Sequence, residues 1–123
     1  MSQANVEITG GYQNFLSGGV VQGIASWNLQ RQPASAEIRL FWFTRGKGTM
    51  DLNVVQTQKF ENPKPSDQKN FSLRLPTSPY SFSGKLVSLV WALELVVEPG
   101  DVVERKEIAM SSTGYEVELG EVS

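Results

Sequence analysis

Apolar and polar residues alternate most clearly between Phe71 and Glu98. Three apolar residues separated by polar ones open this stretch, namely Phe71, Leu73 and Leu75. After a corner at 76–84 the alternation continues with Val87, Leu89, Trp91, Leu93, Leu95 and Val97. A period of two residues is typical of β-strands that bury one face. We therefore predict a strand on each side of the corner, because Pro76 and Pro79 fix the backbone and lack the N–H donors that a helix or a central strand needs.

The same alternation recurs along the rest of the chain and predicts an all-β fold. Further strands are expected at 5–9, 20–29, 36–44, 50–60 and 102–110, separated by turns that contain glycine or proline. The polar segment 61–70 is predicted to be a loop, and the tail 111–123 to be loose or to add an edge strand. This gives about seven or eight strands, which we interpret as one antiparallel β-sandwich domain over residues 1–123.

Large aromatic residues are spread over several of these strands. Two sheets packed face to face would bury Trp27, Trp42, Trp91 and Phe71 between them. Gly23 interrupts the apolar face of its strand, and a glycine at such a position indicates either a bulge or close approach by another segment.

The segment Leu40–Phe43 is apolar on both faces of its predicted strand. Alternation directs Trp42 to one face and Phe41 and Phe43 to the other. One interpretation is a central strand whose outer side is covered by the N-terminal segment or by the tail. The alternative is an exposed aromatic patch, with Phe41 and Phe43 as interface residues for a partner protein or a second copy, since soluble monomers rarely expose such patches without a function. A free edge strand would offer a similar docking place by extension of the sheet.

Composition excludes several classes of function. The 123 residues include no cysteine and no histidine, so a thiolate metal site, a cysteine nucleophile and a histidine base are excluded. The chain has 13 acidic and 11 basic residues and no basic stripe, so we expect no nucleic-acid partner. No apolar run is long enough for a membrane span, and the first residues lack the pattern of a signal peptide. We therefore expect a cytoplasmic protein.

Three polar groupings could support chemistry, and each has a simpler explanation. Arg45–Thr49 could hold a phosphate, but it lacks the spacing of a phosphate-binding loop and is better explained as a β-turn. The acidic residues between Glu94 and Glu107 match no calcium-loop spacing and are expected to be solvated. The serines of the corner have no histidine to activate them. We therefore expect no catalytic residue, no metal site, no cofactor and no enzymatic activity.

Several motifs occur along the chain in a fixed order: Gly19–Ile24, Ala36–Thr44, Leu75-Pro76, Pro79-Tyr80-Ser81-Phe82-Ser83-Gly84 and the strand around Trp91. Their order resembles that in the N-terminal lobe of arrestins and arrestin-related proteins. The resemblance covers roughly residues 5 to 110, in the order that the family has. It implies an immunoglobulin-like β-sandwich of arrestin type, as one lobe where arrestins have two.

The resemblance also implies a class of function. Arrestin-type domains work as adaptors or scaffolds, so we expect a non-catalytic domain that binds another protein, or a second copy in a homo-oligomer. The alternative is a β-sandwich module that binds a small ligand or a carbohydrate. A concave pocket in which Tyr12, Tyr80 or Trp27 is exposed beside polar groups would favour the alternative.

Overall fold

The computed structural model of the protein describes residues 3–46, 51–84, 86–99, 102–111 and 117–118. Within this part of the chain there are ten β-strands and a short 3-10 turn at Thr9–Gly11, and no α-helix. The strands are β1 (Gln3–Ile8), β2 (Asn14–Leu16), β3 (Val20–Asn28), β4 (Ser35–Gly46), β5 (Leu52–Lys59), β6 (Ser66–Arg74), β7 (Phe82–Ser83), β8 (Val87–Glu98), β9 (Val102–Ser111) and β10 (Val117–Glu118).

The strands form a small sheet and a large sheet that pack as a sandwich. The small sheet is antiparallel, in the order β1, β3, β6. In the large sheet β4 lies between β5 and β8, and β8 pairs with β9 on its other side. The short strands β7 and β10 extend this sheet beside the first residues of β8, and β2 pairs with the end of β9. The predicted all-β sandwich is therefore confirmed.

The core lies between the inner faces of the two sheets. Alternate residues of β8, from Leu89 to Val97, are buried there, and Trp91 lies at the centre with no exposed surface. Trp27 and Phe71 reach the same core from the small sheet, and Trp42 packs against it while remaining partly exposed. The predicted burial of Trp27, Trp91 and Phe71 is thus confirmed, and that of Trp42 is confirmed in part.

Gly23 permits close packing at the centre of the small sheet. A Cβ atom at this position would lie 2.7 Å from the ring of Phe71 and would also clash with the carbonyl oxygen of Glu7. The predicted close approach is confirmed, and it explains why no larger residue stands at this position of β3.

The proline-rich corner is fastened to both neighbouring strands. The indole N–H of Trp91 donates a 2.8 Å hydrogen bond to the carbonyl oxygen of Pro79. Ser81 and Met110 exchange two further bonds: the Ser81 amide donates to the Met110 carbonyl at 2.7 Å, and the Met110 amide donates to the buried Ser81 hydroxyl oxygen at 2.9 Å. The corner therefore aligns β8 and β9 instead of acting as a free loop.

Three expectations about local structure need correction. The segment 61–70 is not all loop, because β6 begins at Ser66 and pairs with β3 along its whole length. The pairing is not wholly antiparallel, since β2–β9 and β7–β10 are parallel pairs. The strand count exceeds the expected seven or eight because β2, β7 and β10 have only two or three residues each.

The tail and one turn are only partly described. Val117–Glu118 pairs with β7, as expected for an added edge strand, and the rest of 112–123 lies outside the described residues. The predicted turn at 45–48 also falls largely outside them. The assignment of residues 1–123 to one domain stays a prediction.

Candidate interaction surface

A second apolar cluster lies on the outer face of the large sheet, on the opposite side from the core. Phe41 and Phe43 project from β4, and their ladder partners on β8 are Ala92 and Val90. The two phenylalanine rings stack with their centroids 5.9 Å apart and their planes inclined by 28°. We call these four residues the outer-face cluster.

Two arginine side chains lie over the outer-face cluster. The guanidinium carbon of Arg105, from β9, is 4.9 Å from the ring centroid of Phe41 and 5.4 Å from that of Phe43. Arg45 lies 5.3 Å from the Phe43 centroid. These distances are in the range of cation–π attraction. The rings of Phe41 and Phe43 are consequently only 2% and 7% exposed.

Ion pairs hold the two arginine guanidinium groups in position. Arg45 contacts Glu107 at 2.7 Å, and Arg105 contacts Glu94 at 3.0 Å. Arg39 joins the same network, 3.2 Å from Glu37 and 3.8 Å from Glu94. Its hydrogen bond to Glu37 is the main reason why the pKa of Arg39 is raised, so it stays charged. Each exposed pair is weak alone, but together they restrict where the guanidinium groups can lie.

Phe41 and Phe43 lie on a central strand, and their side chains are not an exposed aromatic patch, because Arg45 and Arg105 lie over them. Among the described residues, β1 does not supply the cover, since it belongs to the other sheet. Cover by the tail stays a prediction, because most of 112–123 lies outside the described residues. The role of Phe41 and Phe43 in a partner interface stays a prediction. Arg105 lies more than 60 residues after Phe41 and Phe43 in the sequence, so no local pattern identifies it as the residue that covers them.

Exposed aliphatic side chains flank the outer-face cluster. On β5, Leu52 and Val54 stand opposite Phe43 and Phe41 in the ladder and therefore share their face. Further along the same face, Val103 of β9 is 46% exposed and pairs with Val96 of β8, whereas the β9 partner of Ala92 is Glu107. The outer face thus carries exposed aliphatic side chains on both β5 and β9, with charged side chains between them.

The edge of β5 is open. β5 pairs with β4 on one side, and among the described residues its other side makes one hydrogen bond, from the Ser72 amide to the side-chain oxygen of Gln58 at 3.2 Å. A β-bulge interrupts the ladder after Leu40, so that Gln56 faces Leu40 but Val54 faces Phe41, and Val55 is the extra residue. Alternation predicted the strand correctly but could not reveal its free edge or its bulge.

The outer face of the small sheet has a different chemistry. Its outward residues are mostly neutral hydrogen-bonding residues, and no hydrogen bond within the described structure uses the side chains of Gln3, Asn5, Gln22, Ser26, Asn28, Ser66, Gln68 and Asn70. A shallow groove of about 520 Å³ runs over one end of this face. Surfaces of soluble domains usually mix charges of both signs at such positions.

The aromatic residues expected at a ligand pocket do not meet there. Trp27 borders the groove but is buried, and its indole N–H donates a 2.7 Å hydrogen bond to the Lys64 carbonyl oxygen. Tyr12 and Tyr80 are exposed, in loops away from this groove. The groove therefore lacks the exposed aromatic side chains that would have favoured the sequence-based alternative.

Two of the acidic residues between 94 and 107 are engaged in ion pairs within the described structure. Glu94 and Glu107 contact arginines, as given above. In the described part of the chain, no three acidic side chains are grouped as a metal ion would require. Among the same residues there is no helix with the length and apolar character that a membrane crossing needs.

Comparisons with known proteins identify the fold and no family. No protein-family model matches the chain, and no curated protein matches its sequence. Among solved structures, the chain is similar to Spo0M, a sporulation control protein from Bacillus subtilis, with a TM-score of 0.65 and 15% identity. That match covers 89% of this chain and 49% of Spo0M, so the chain spans about half the length of that protein.

Two enzymes share the fold at lower similarity. A superoxide reductase (neelaredoxin) from Ignicoccus hospitalis has a TM-score of 0.50 at 15% identity, over 89% of this chain and 80% of that one. A β-glucosidase from Listeria innocua has a TM-score of 0.50 at 10% identity, and the match covers 89% of this chain but 16% of the enzyme. At these identities the matches show a common fold alone.

Proposed function

We propose that the chain is a non-catalytic, arrestin-type adaptor or scaffold domain that binds another protein through the outer face of its large sheet. The observation on which this rests is the set of apolar side chains on that face, where Leu52, Val54 and Val103 are exposed around Phe41 and Phe43, which are buried beneath arginine side chains. Exposed apolar patches on soluble domains often mark interaction sites. The arrestin assignment itself rests on the sequence resemblance, and the fold shared with Spo0M supports it.

The surface suggests the kind of partner. Its apolar residues favour a partner with aliphatic or aromatic side chains, while its arginines and glutamates lie around them as a polar rim does in many interfaces. The three arginines are matched by Glu37, Glu94 and Glu107, so the surface carries little net charge. We expect binding to depend more on shape and apolar contact than on long-range attraction.

A comparison of tagged variants recovered from the native host tests this function. Val103→Asp adds a charge to the outer face of the large sheet at an exposed site, and Asn28→Asp adds the same charge to the small sheet. We expect a partner that co-purifies with the wild-type protein and with Asn28→Asp, and that is lost from Val103→Asp. Equal recovery with both variants, or no partner with any of them, would contradict the proposal.

A second candidate function is supported by the neutral outer face of the small sheet. Amide and hydroxyl groups that make no internal hydrogen bonds could bind a neutral polyhydroxylated ligand along the 520 Å³ groove. Affinity electrophoresis in gels that contain neutral polysaccharides tests it. Retardation of the wild-type protein, reduced by Asn28→Ala, would support carbohydrate binding, and unchanged mobility in every gel would exclude it for these polymers.

A further inference from the structure

The free edge of β5 lacks most of the features that keep sheet edges apart. The strand has eight residues, no proline, no glycine and no charge directed inward, and its one charged residue, Lys59, stands at its end. Soluble proteins usually protect a strand of this length with such features. A protected edge would also not present Leu52, Val54 and Val55, which are all exposed.

We propose that β5 pairs in antiparallel fashion with β5 of a second copy, so that the two large sheets become one continuous sheet in a two-fold symmetric dimer. This inference goes beyond the proposed function. It concerns the edge of the sheet, whereas the partner-binding surface lies on its outer face.

The bulge selects the register of this pairing. Leu52 and Thr57 both face outward, since they stand opposite Phe43 and Arg39, while Asn53 and Gln56 both face inward, opposite Trp42 and Leu40. In a regular strand, Leu52 and Thr57 would point to opposite faces, because they are five residues apart. The extra residue Val55 removes this mismatch.

One symmetric register therefore pairs like faces throughout. Leu52 of each copy faces Thr57 of the other, Asn53 faces Gln56, and Val54 faces Val55. Four valine side chains then meet at the two-fold axis, where their exposed apolar area leaves water on pairing. A bulge can also protect an edge, but here it makes the faces self-complementary.

The charges on β5 permit the same register. Asp51 faces Gln58 of the other copy, so no two like charges are brought opposite each other. Neither the Asp51 carboxylate nor the Lys59 ammonium group has an ion-pair partner among the described residues. Like charges directly opposite each other would oppose strand pairing, and this register avoids them.

The mass in solution tests the pairing. We expect sedimentation equilibrium of the wild-type protein to show a rise with concentration from 13.6 kDa to twice that mass. Val55→Asp brings two carboxylates together at the two-fold axis and should keep the protein monomeric. Val55 is 42% exposed, so the substitution is expected to leave the fold intact. Val103→Asp changes a comparably exposed valine on β9, away from β5, and should still dimerise.

A charge-pairing experiment separates strand pairing from a loss of folding. Val55→Lys alone should also be monomeric, but an equimolar mixture of Val55→Asp and Val55→Lys should form a heterodimer. Slower amide hydrogen exchange at 53–56 in the concentrated wild-type protein should accompany dimerisation. A wild-type protein that stays monomeric up to its solubility limit, or a dimer that Val103→Asp disrupts and Val55→Asp does not, would overturn the inference. A monomeric wild-type protein that still recovers a partner through Val103 would leave the proposed function standing.

Discussion

The outer faces of both sheets are formed by alternate residues of their strands, but they differ in whether apolar side chains are buried there. On the large sheet, Phe41 and Phe43 project outward and are enclosed by Arg45 and Arg105. On the small sheet, the outward residues are mostly amides and hydroxyls that remain available to water. The core needs only the inward residues of each strand, so the outward ones are free to serve binding. This difference is the reason why we propose the large sheet, and not the small one, for partner binding.

The two faces should differ most in how much stability is lost when an outward side chain is truncated to alanine. Phe41→Ala should lower the free energy of unfolding by about 3 kcal/mol, since it leaves a cavity beneath Arg105. Gln68→Ala, at an outward site of the small sheet, should change it by less than about 0.5 kcal/mol. Urea denaturation of both variants measures the two values. Similar small losses for both would mean that the outer-face cluster is not packed as described.

A smaller loss of stability is expected when the arginine cover is removed while Phe41 and Phe43 are retained. Arg105→Ala eliminates two ring contacts and the ion pair with Glu94, and should cost about 1 kcal/mol. Arg74→Ala on the small sheet removes one 3.5 Å hydrogen bond to the Gly18 carbonyl oxygen and should cost less. Thermal unfolding at two salt concentrations compares them. If Arg105→Lys is as unstable as Arg105→Ala, the planar contact of the guanidinium group is what matters.

The ion pairs on the large sheet should each contribute little. Glu107→Gln removes the contact to Arg45, which is exposed, and should reduce the free energy of unfolding by no more than about 0.5 kcal/mol at low salt. The loss should vanish in high salt because the pair is screened. A loss of the same size at both salt concentrations would indicate that Glu107 has a packing role instead.

The smallest change in stability is expected on acidification, through protonation of Asp67 on the small sheet. Amides of Lys64 and Gln68 donate hydrogen bonds to the Asp67 carboxylate, and the bond from Lys64 is the main reason why its pKa is lowered. The Asp67 carboxylate therefore takes up a proton more readily in the unfolded chain than in the folded protein. Its contribution to stability is complete above the ordinary value of 3.8 and is lost as the pH falls through the lower, folded-state pKa. Asp67→Asn should make the decline of stability in acid shallower, and an unchanged acid profile would contradict this.

Much of the fold follows from local pattern. Alternation along β8 predicts both its strand structure and the burial of Trp91, because each inward position is apolar over the whole length of the strand. It fails at Ser66–Asn70, where the outward residues are polar and the inward ones, Asp67 and Lys69, are polar as well and half-buried. Such a strand is stabilised by pairing with β3, which no local pattern reveals.

The candidate surface was predictable only in part. The apolar residues on both faces of β4 pointed to Phe41 and Phe43 as unusual, since outward positions are ordinarily polar. Their cover by Arg105 depends on the long-range pairing of β9 with β8, and the bulge at Val55 depends on the β4–β5 register. Both features arise from tertiary contacts, so sequence alone could not supply them.

Site-specific photo-crosslinking in the native host tests the central claim most directly. A photoreactive residue would replace Val103 on the outer face of the large sheet in one variant, and Asn28 on the small sheet in another. The proposed function predicts a discrete adduct with a second kind of polypeptide from position 103 and none from position 28. The same adduct from both positions, or from position 28 alone, would contradict it.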